Sequence, residues 1–178
     1  MSHLKKLILV TTLVLTFSLS FAQPAPGLEK AKLLIEGSYN LVEWMDGDKR
    51  LYPQDVSARV IIKDGIFTYA SNKSVGSDQL SYSGIGAYKI TSSTYSYGYS
   101  SYMIASRVNG ISDVQLKDSS SPEMALPKMR VFDLVSMGKE IKATNGERFW
   151  IFSEDGMTYS DPTIKIKRIY KRIVSEKN

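Results

Sequence analysis

The chain of 178 residues carries 23 Lys and Arg against 18 Asp and Glu, a single His, 11 Tyr and no Cys. Without cysteine there is no disulfide, no thiol nucleophile and no lipid-modified N-terminal Cys. The one histidine, His3, precedes an apolar leader, so the rest of the chain has no Ser-His-Asp triad and no His-built zinc or iron site.

The N-terminus has the layout of an export signal. Lys5 and Lys6 precede an apolar run over residues 7–21, and Ser20-Phe21-Ala22 supplies a small-x-small cleavage site. The run is short for a spanning helix, contains several Thr and Ser, and is followed by Pro24 and Pro26, which favours export over anchoring. We therefore expect a signal peptide over 1–22, a mature chain over 23–178 with no integral membrane span, and a periplasmic or secreted location. Loss of Lys5 and Lys6 leaves 21 basic against 18 acidic residues, an excess of +3 that does not indicate nucleic acid. One domain is expected, of a size that buries about 70% of its unfolded surface and needs no metal or disulfide for stability.

In the mature chain, residues 27–35 suit one short helical turn, after which turn signals become regular. Asp46-Gly47, Asp64-Gly65, Asn109-Gly110, Asn145-Gly146 and Asp155-Gly156 are pairs that tolerate the positive φ of tight hairpins. Strands are expected near 38–45, 56–63, 66–70, 82–90, 94–104, 129–136, 139–143, 147–153 and 163–174. Such short, even spacing predicts an all-β, antiparallel up-and-down meander, closed into a barrel of eight or more strands so that no edge is left open. An open sandwich is the alternative. The connections over 71–81 and 105–128 read as long loops; the second is either a lid over the barrel mouth or disordered.

Alternation assigns faces. Tyr95, Tyr97 and Tyr99 share one side of their strand, either as a ligand platform or as cross-strand packing. Phe149-Trp150-Ile151-Phe152 is apolar on both sides, so it needs an outer cover, from the N-terminal turn or a homodimer partner, or it marks an interface around Trp150 and Phe152. On the last strand Lys165, Lys167 and Lys171 take the solvated face, and Ile164, Ile166, Arg168, Tyr170 and Arg172 the other. Glu43 shares the parity of Tyr39 and Leu41; with no bulge at Leu41-Val42 it points inward as a partner for Arg168 or Arg172, or as a general acid.

Two constellations resemble known families. Gly37-x-Tyr39 followed by Leu41-Val42, with a basic, aromatic last strand, is similar to the Gly-x-Trp opening of the lipocalin and calycin barrels, bacterial lipocalin-like domains in particular. The resemblance implies a structural barrel plug of Gly37, Tyr39 and Arg172. Arg168-x-Tyr170 resembles the Arg-x-Tyr of intracellular fatty-acid-binding proteins, which implies a carboxylate grip by Arg168 and Tyr170, with Tyr95, Tyr97, Tyr99 and Glu43 as further ligand-binding candidates. The expected function is binding of a small hydrophobic or amphiphilic ligand, with no cofactor, no metal and no catalytic residue. The alternative is an envelope or protein-interaction module whose barrel is filled by its own side chains.

Overall fold

The structure, a computed structural model, describes residues 24–118 and 129–174. A helix, α1 (Leu28–Ile35), leads into twelve strands: β1 (Gly37–Asp46), β2 (Lys49–Leu51), β3 (Val56–Lys63), β4 (Ile66–Val75), β5 (Asp78–Ile90), β6 (Thr94–Val108), β7 (Ile111–Asp118), β8 (Arg130–Met137), β9 (Glu140–Asn145), β10 (Arg148–Phe152), β11 (Gly156–Asp161) and β12 (Ile166–Arg172). All pairings are antiparallel and join near neighbours in sequence, and β12 returns to pair with β1. Ten strands thus close a barrel; β2 is added to the end of β1, and β7 to the outer half of β6.

The meander follows from the turn chemistry. At Asp64-Gly65 and Asn109-Gly110 both central residues have positive φ, the backbone that two-residue hairpins of this twist require. Between the turns, period-2 patterning fixes the faces: Val56, Ala58, Val60 and Ile62 of β3 are buried, while Ser57, Arg59 and Lys63 are exposed.

Several boundaries differ from the sequence expectation. The two long loops are largely strand: β4 and β5 meet at a tight turn around Gly76, and β6 runs to Val108 before turning into β7. Residues 119–128, the remainder of the expected lid, lie outside the described residues, as does the leader 1–22. Gly156–Asp161 is a further strand, and Pro162–Ile164 is a 3-10 turn ending in a left-handed Lys165, so β12 begins at Ile166. Trp150 and Phe152, expected around an outer interface, are buried inside the barrel. The outer face of β10 carries Phe149 and Ile151 instead, with the Lys142 ammonium over the Phe149 ring.

One end of the barrel is closed by α1. Ala31, Leu34 and Ile35 join a continuous core with Tyr39, Ile62, Phe132, Ile141 and Phe152, each such large side chain contributing about 1.5–3 kcal/mol by leaving water. Polar ties fix the helix: Lys30 Nζ donates to Ser136 Oγ at 2.9 Å, and Tyr88 Oη donates to Glu36 at 2.8 Å. Among the described residues no helix is long and apolar enough to cross a membrane.

Candidate functional site

Arg172 and Tyr39 form a clasp at the helix end. They are register partners across the closing pair of strands, with the guanidinium carbon 5.0 Å from the ring centre. Arg172 donates to the carbonyls of Leu34 (2.5 Å) and Glu36 (2.6 Å) and to Tyr39 Oη (2.8 Å), while Tyr39 Oη donates back to the last helical carbonyls. A cation is thus seated where the helix leaves carbonyls without intrahelical partners and where its dipole is negative. Gly37 is required by space: a Cβ there would lie 2.6 Å from Arg172 Nη1. Burial pushes the Tyr39 phenol up to about 12, against the opposing pull of Arg172. The clasp joins α1, β1 and β12 and leaves neither group free for a ligand.

Toward the opposite end the barrel holds a half-open chamber of about 250 Å³ with a floor of rings and three arginines in its wall: Arg130, Arg148 and Arg168. Arg168 stacks its guanidinium 3.8 Å above Trp44 and lies 5.7 Å and 5.8 Å from the Tyr69 and Tyr159 rings. Its Nη1 donates to Tyr69 Oη at 3.1 Å, and its Nε is buried without a hydrogen-bond partner. Arg148 is committed, with Nε 2.6 Å from an Asp161 oxygen. Burial works against charge on Asp161, but the Thr163 hydroxyl bond and the Arg148 charge outweigh it and hold the carboxyl below its usual range. Arg130 and Arg168 make no ion pair among the described residues. A second compartment of about 240 Å³ adjoins the first, sharing Tyr97, Tyr99 and Arg130 and reaching Tyr82 and Ile104.

The expected site residues separate into those that reach the chamber and those that do not. Arg168, Tyr97 and Tyr99 line it. The Tyr99 ring lies across Gly84 of β5, where a Cβ would come within 2.6 Å of it. Tyr95 is fully buried among Tyr97, Phe132 and Phe152 in the helix half, as core. Tyr170 is buried two positions beyond Arg168 toward the helix end, and desolvation holds its phenol well above its usual range.

Glu43 corrects the sequence reading. The register slips by one residue between Leu41 and Glu43, a bulge at Val42 that brings Trp44 opposite Arg168 and turns Glu43 to the outer side with Ile169. There it pairs with Arg50 at 3.1 Å, so it serves neither Arg168 nor Arg172. The slip also supplies what parity had missed, since Trp44 takes the inward place assigned to Glu43.

Arg130, Tyr69 and Tyr159 also belong to the chamber but were not singled out in the sequence, and Trp150, expected at an outer interface, joins them. Parity was the available signal: Arg130 shares the face of Phe132 and Leu134 on β8, and Tyr69 that of Phe67 on β4. Tyr159 lies on the strand hidden behind the Asp155-Gly156 turn signal. The closed antiparallel meander is compatible with a calycin-like fold. Comparison of the chain with protein-family models, with curated proteins and with solved structures gives no match.

Proposed function

We propose that the mature chain is an exported, non-catalytic, lipocalin-like carrier that binds one small amphiphilic molecule inside its barrel, with the acidic group of that molecule on Arg168. The observation that carries this reading is a half-buried guanidinium with no carboxylate partner among the described residues, one nitrogen unsatisfied, in the wall of a half-open chamber lined by rings. A buried cation without an anion is unfavourable, and a charge-assisted fork onto an acidic head group removes that penalty where rings already surround it. Native mass spectrometry of protein purified from its own host tests the reading. A small-molecule adduct is expected on the wild type and is lost in Arg168→Met; ligand-free protein that also takes up no amphiphile in vitro would overturn it.

A second reading, an interaction module or homodimer, draws on a different surface from the one the sequence suggested. On the outer face of β5 to β7, Ile85, Met103, Val114 and Leu116 are exposed around an open groove of about 480 Å³. Sedimentation analysis distinguishes a dimer from a monomer, and a monomer at micromolar concentration would count against self-association through this face.

A further inference from the structure

The unsatisfied groups around the chamber are mostly donors, the exception being the Tyr170 hydroxyl beside Arg168, which can also accept. Arg168 Nε, Trp44 Nε1 and Trp150 Nε1 are all buried without a hydrogen-bond partner, and all three can only donate. Trp150 lines the chamber, and Trp44 lies directly beneath the Arg168 guanidinium. Anionic acceptors are scarce: Asp161 is the only buried carboxylate among the described residues, and Arg148, Thr163 and Tyr159 already use it. The interior therefore has donors and positive charge in excess, which a guest rich in oxygen acceptors would balance.

Size and wall chemistry narrow the guest further. A cavity of about 150 Å³ lined by apolar side chains admits benzene, so 250 Å³ has room for a fused two-ring compound bearing an acidic group. A sixteen-carbon chain is long and flexible. It would have to thread from one compartment into the other past Arg130 and Tyr99, burying alkyl surface against a guanidinium. The walls are instead ring faces and edges: Phe67, Tyr97, Tyr99, Trp150 and Tyr159, with Tyr97 stacked on Phe67 at 4.5 Å between centroids. Such surfaces favour a flat π-system over a flexible chain.

Resting on the carrier reading above, we propose that the guest is a small planar aromatic carboxylate rather than a fatty acid, held with its carboxylate on Arg168, its ring among Tyr97, Tyr99 and Trp150, and its outer edge toward Arg130.

The test uses the mature protein with three probes: 2-naphthoate, the uncharged analogue 2-naphthalenemethanol, and palmitate. The sequence contains only two tryptophans, Trp44 and Trp150, so intrinsic fluorescence reports on the chamber directly, and calorimetry gives the affinities independently. The naphthoate is expected to bind and quench, about ten-fold or more tighter than the alcohol, and Arg168→Met is expected to lower its affinity by about ten-fold or more. Arg130→Met should weaken it in the same direction, which keeps the proposal testable should Arg168→Met fold poorly. Equal affinity for acid and alcohol overturns the proposal. Palmitate binding that depends on Arg168 while naphthoate fails to bind overturns it too, but leaves the carrier reading standing. Failure of all three probes to bind overturns both.

Discussion

Arg172 and Arg168 lie four residues apart on the same face of β12, yet the structure gives them opposite roles, and replacing each with Met separates these. In Arg172→Met the side chain keeps most of its aliphatic stem but loses its donor bonds to Glu36 and Leu34 carbonyls and to Tyr39 Oη, and the guanidinium facing the Tyr39 ring. Hydrogen bonds from a charged group are each worth about 1.5–3 kcal/mol, and the cation-π contact about 1 kcal/mol at a partly exposed site. These contributions are not additive, water reaches this half-buried position to satisfy part of what is lost, and removing Arg172 Nε, itself buried without a partner, returns some of the cost. A net destabilisation of about 3 kcal/mol follows, or roughly 6–12 °C in Tm for a domain of this size. In Arg168→Met, loss of the contact to Trp44 and of one bond to Tyr69 costs about 2 kcal/mol, but removing a buried unsatisfied Nε returns a similar amount. That variant should stay within about 1 kcal/mol of the wild type. Urea unfolding followed by tryptophan fluorescence, with unchanged m-values as the check on two-state behaviour, measures both. An Arg172→Met cost below about 0.5 kcal/mol, or an Arg168→Met cost as large as that of Arg172→Met, would refute this division of labour.

Two further outcomes follow from the same geometry. Gly37→Ala places a methyl 2.6 Å from Arg172 Nη1, which is held by helix carbonyls; it should destabilise by about 1–3 kcal/mol, and an Arg172→Met background should tolerate it with far less added cost. In the alkaline range, burial raises Tyr39, Tyr88 and Tyr159 to about 12 from 10.0. Below pH 10 these phenols are neutral in both states. Between 10 and about 12 the unfolded chain has released their protons and the folded chain has not, so stability falls as pH rises through this window. Tyrosinate absorbance should accordingly rise together with unfolding, whereas free titration of all tyrosines near pH 10 with the fold intact would contradict the burial.

The closed meander was legible in the sequence because its signals are local. Asp64-Gly65 specifies a tight hairpin between two patterned runs, and the alternation of β3 states which side meets the core without reference to a partner strand. The inward set of β12 is of the same kind, because Ile166, Arg168, Tyr170 and Arg172 follow a strict period of two with no bulge to interrupt it. Hydrophobic pattern could not reveal β7, whose Ile111, Val114 and Leu116 are exposed and whose strand conformation is imposed by pairing with β6. Glu43 was lost for a related reason: the bulge at Val42 is set by the match between β1 and β12 across the closure, a relation between segments more than a hundred residues apart, and one residue of slip exchanges Glu43 for Trp44. Whether the tyrosines fill the barrel or line a space was likewise settled only in three dimensions. Tyr95 and Tyr97 are identical in local pattern, but Tyr95 is packed between Phe132 and Phe152 near the helix, whereas Tyr97, one pleat further on, borders the chamber where three arginines converge; what surrounds a ring is decided by the strands opposite it, and those are brought there by closure of the barrel.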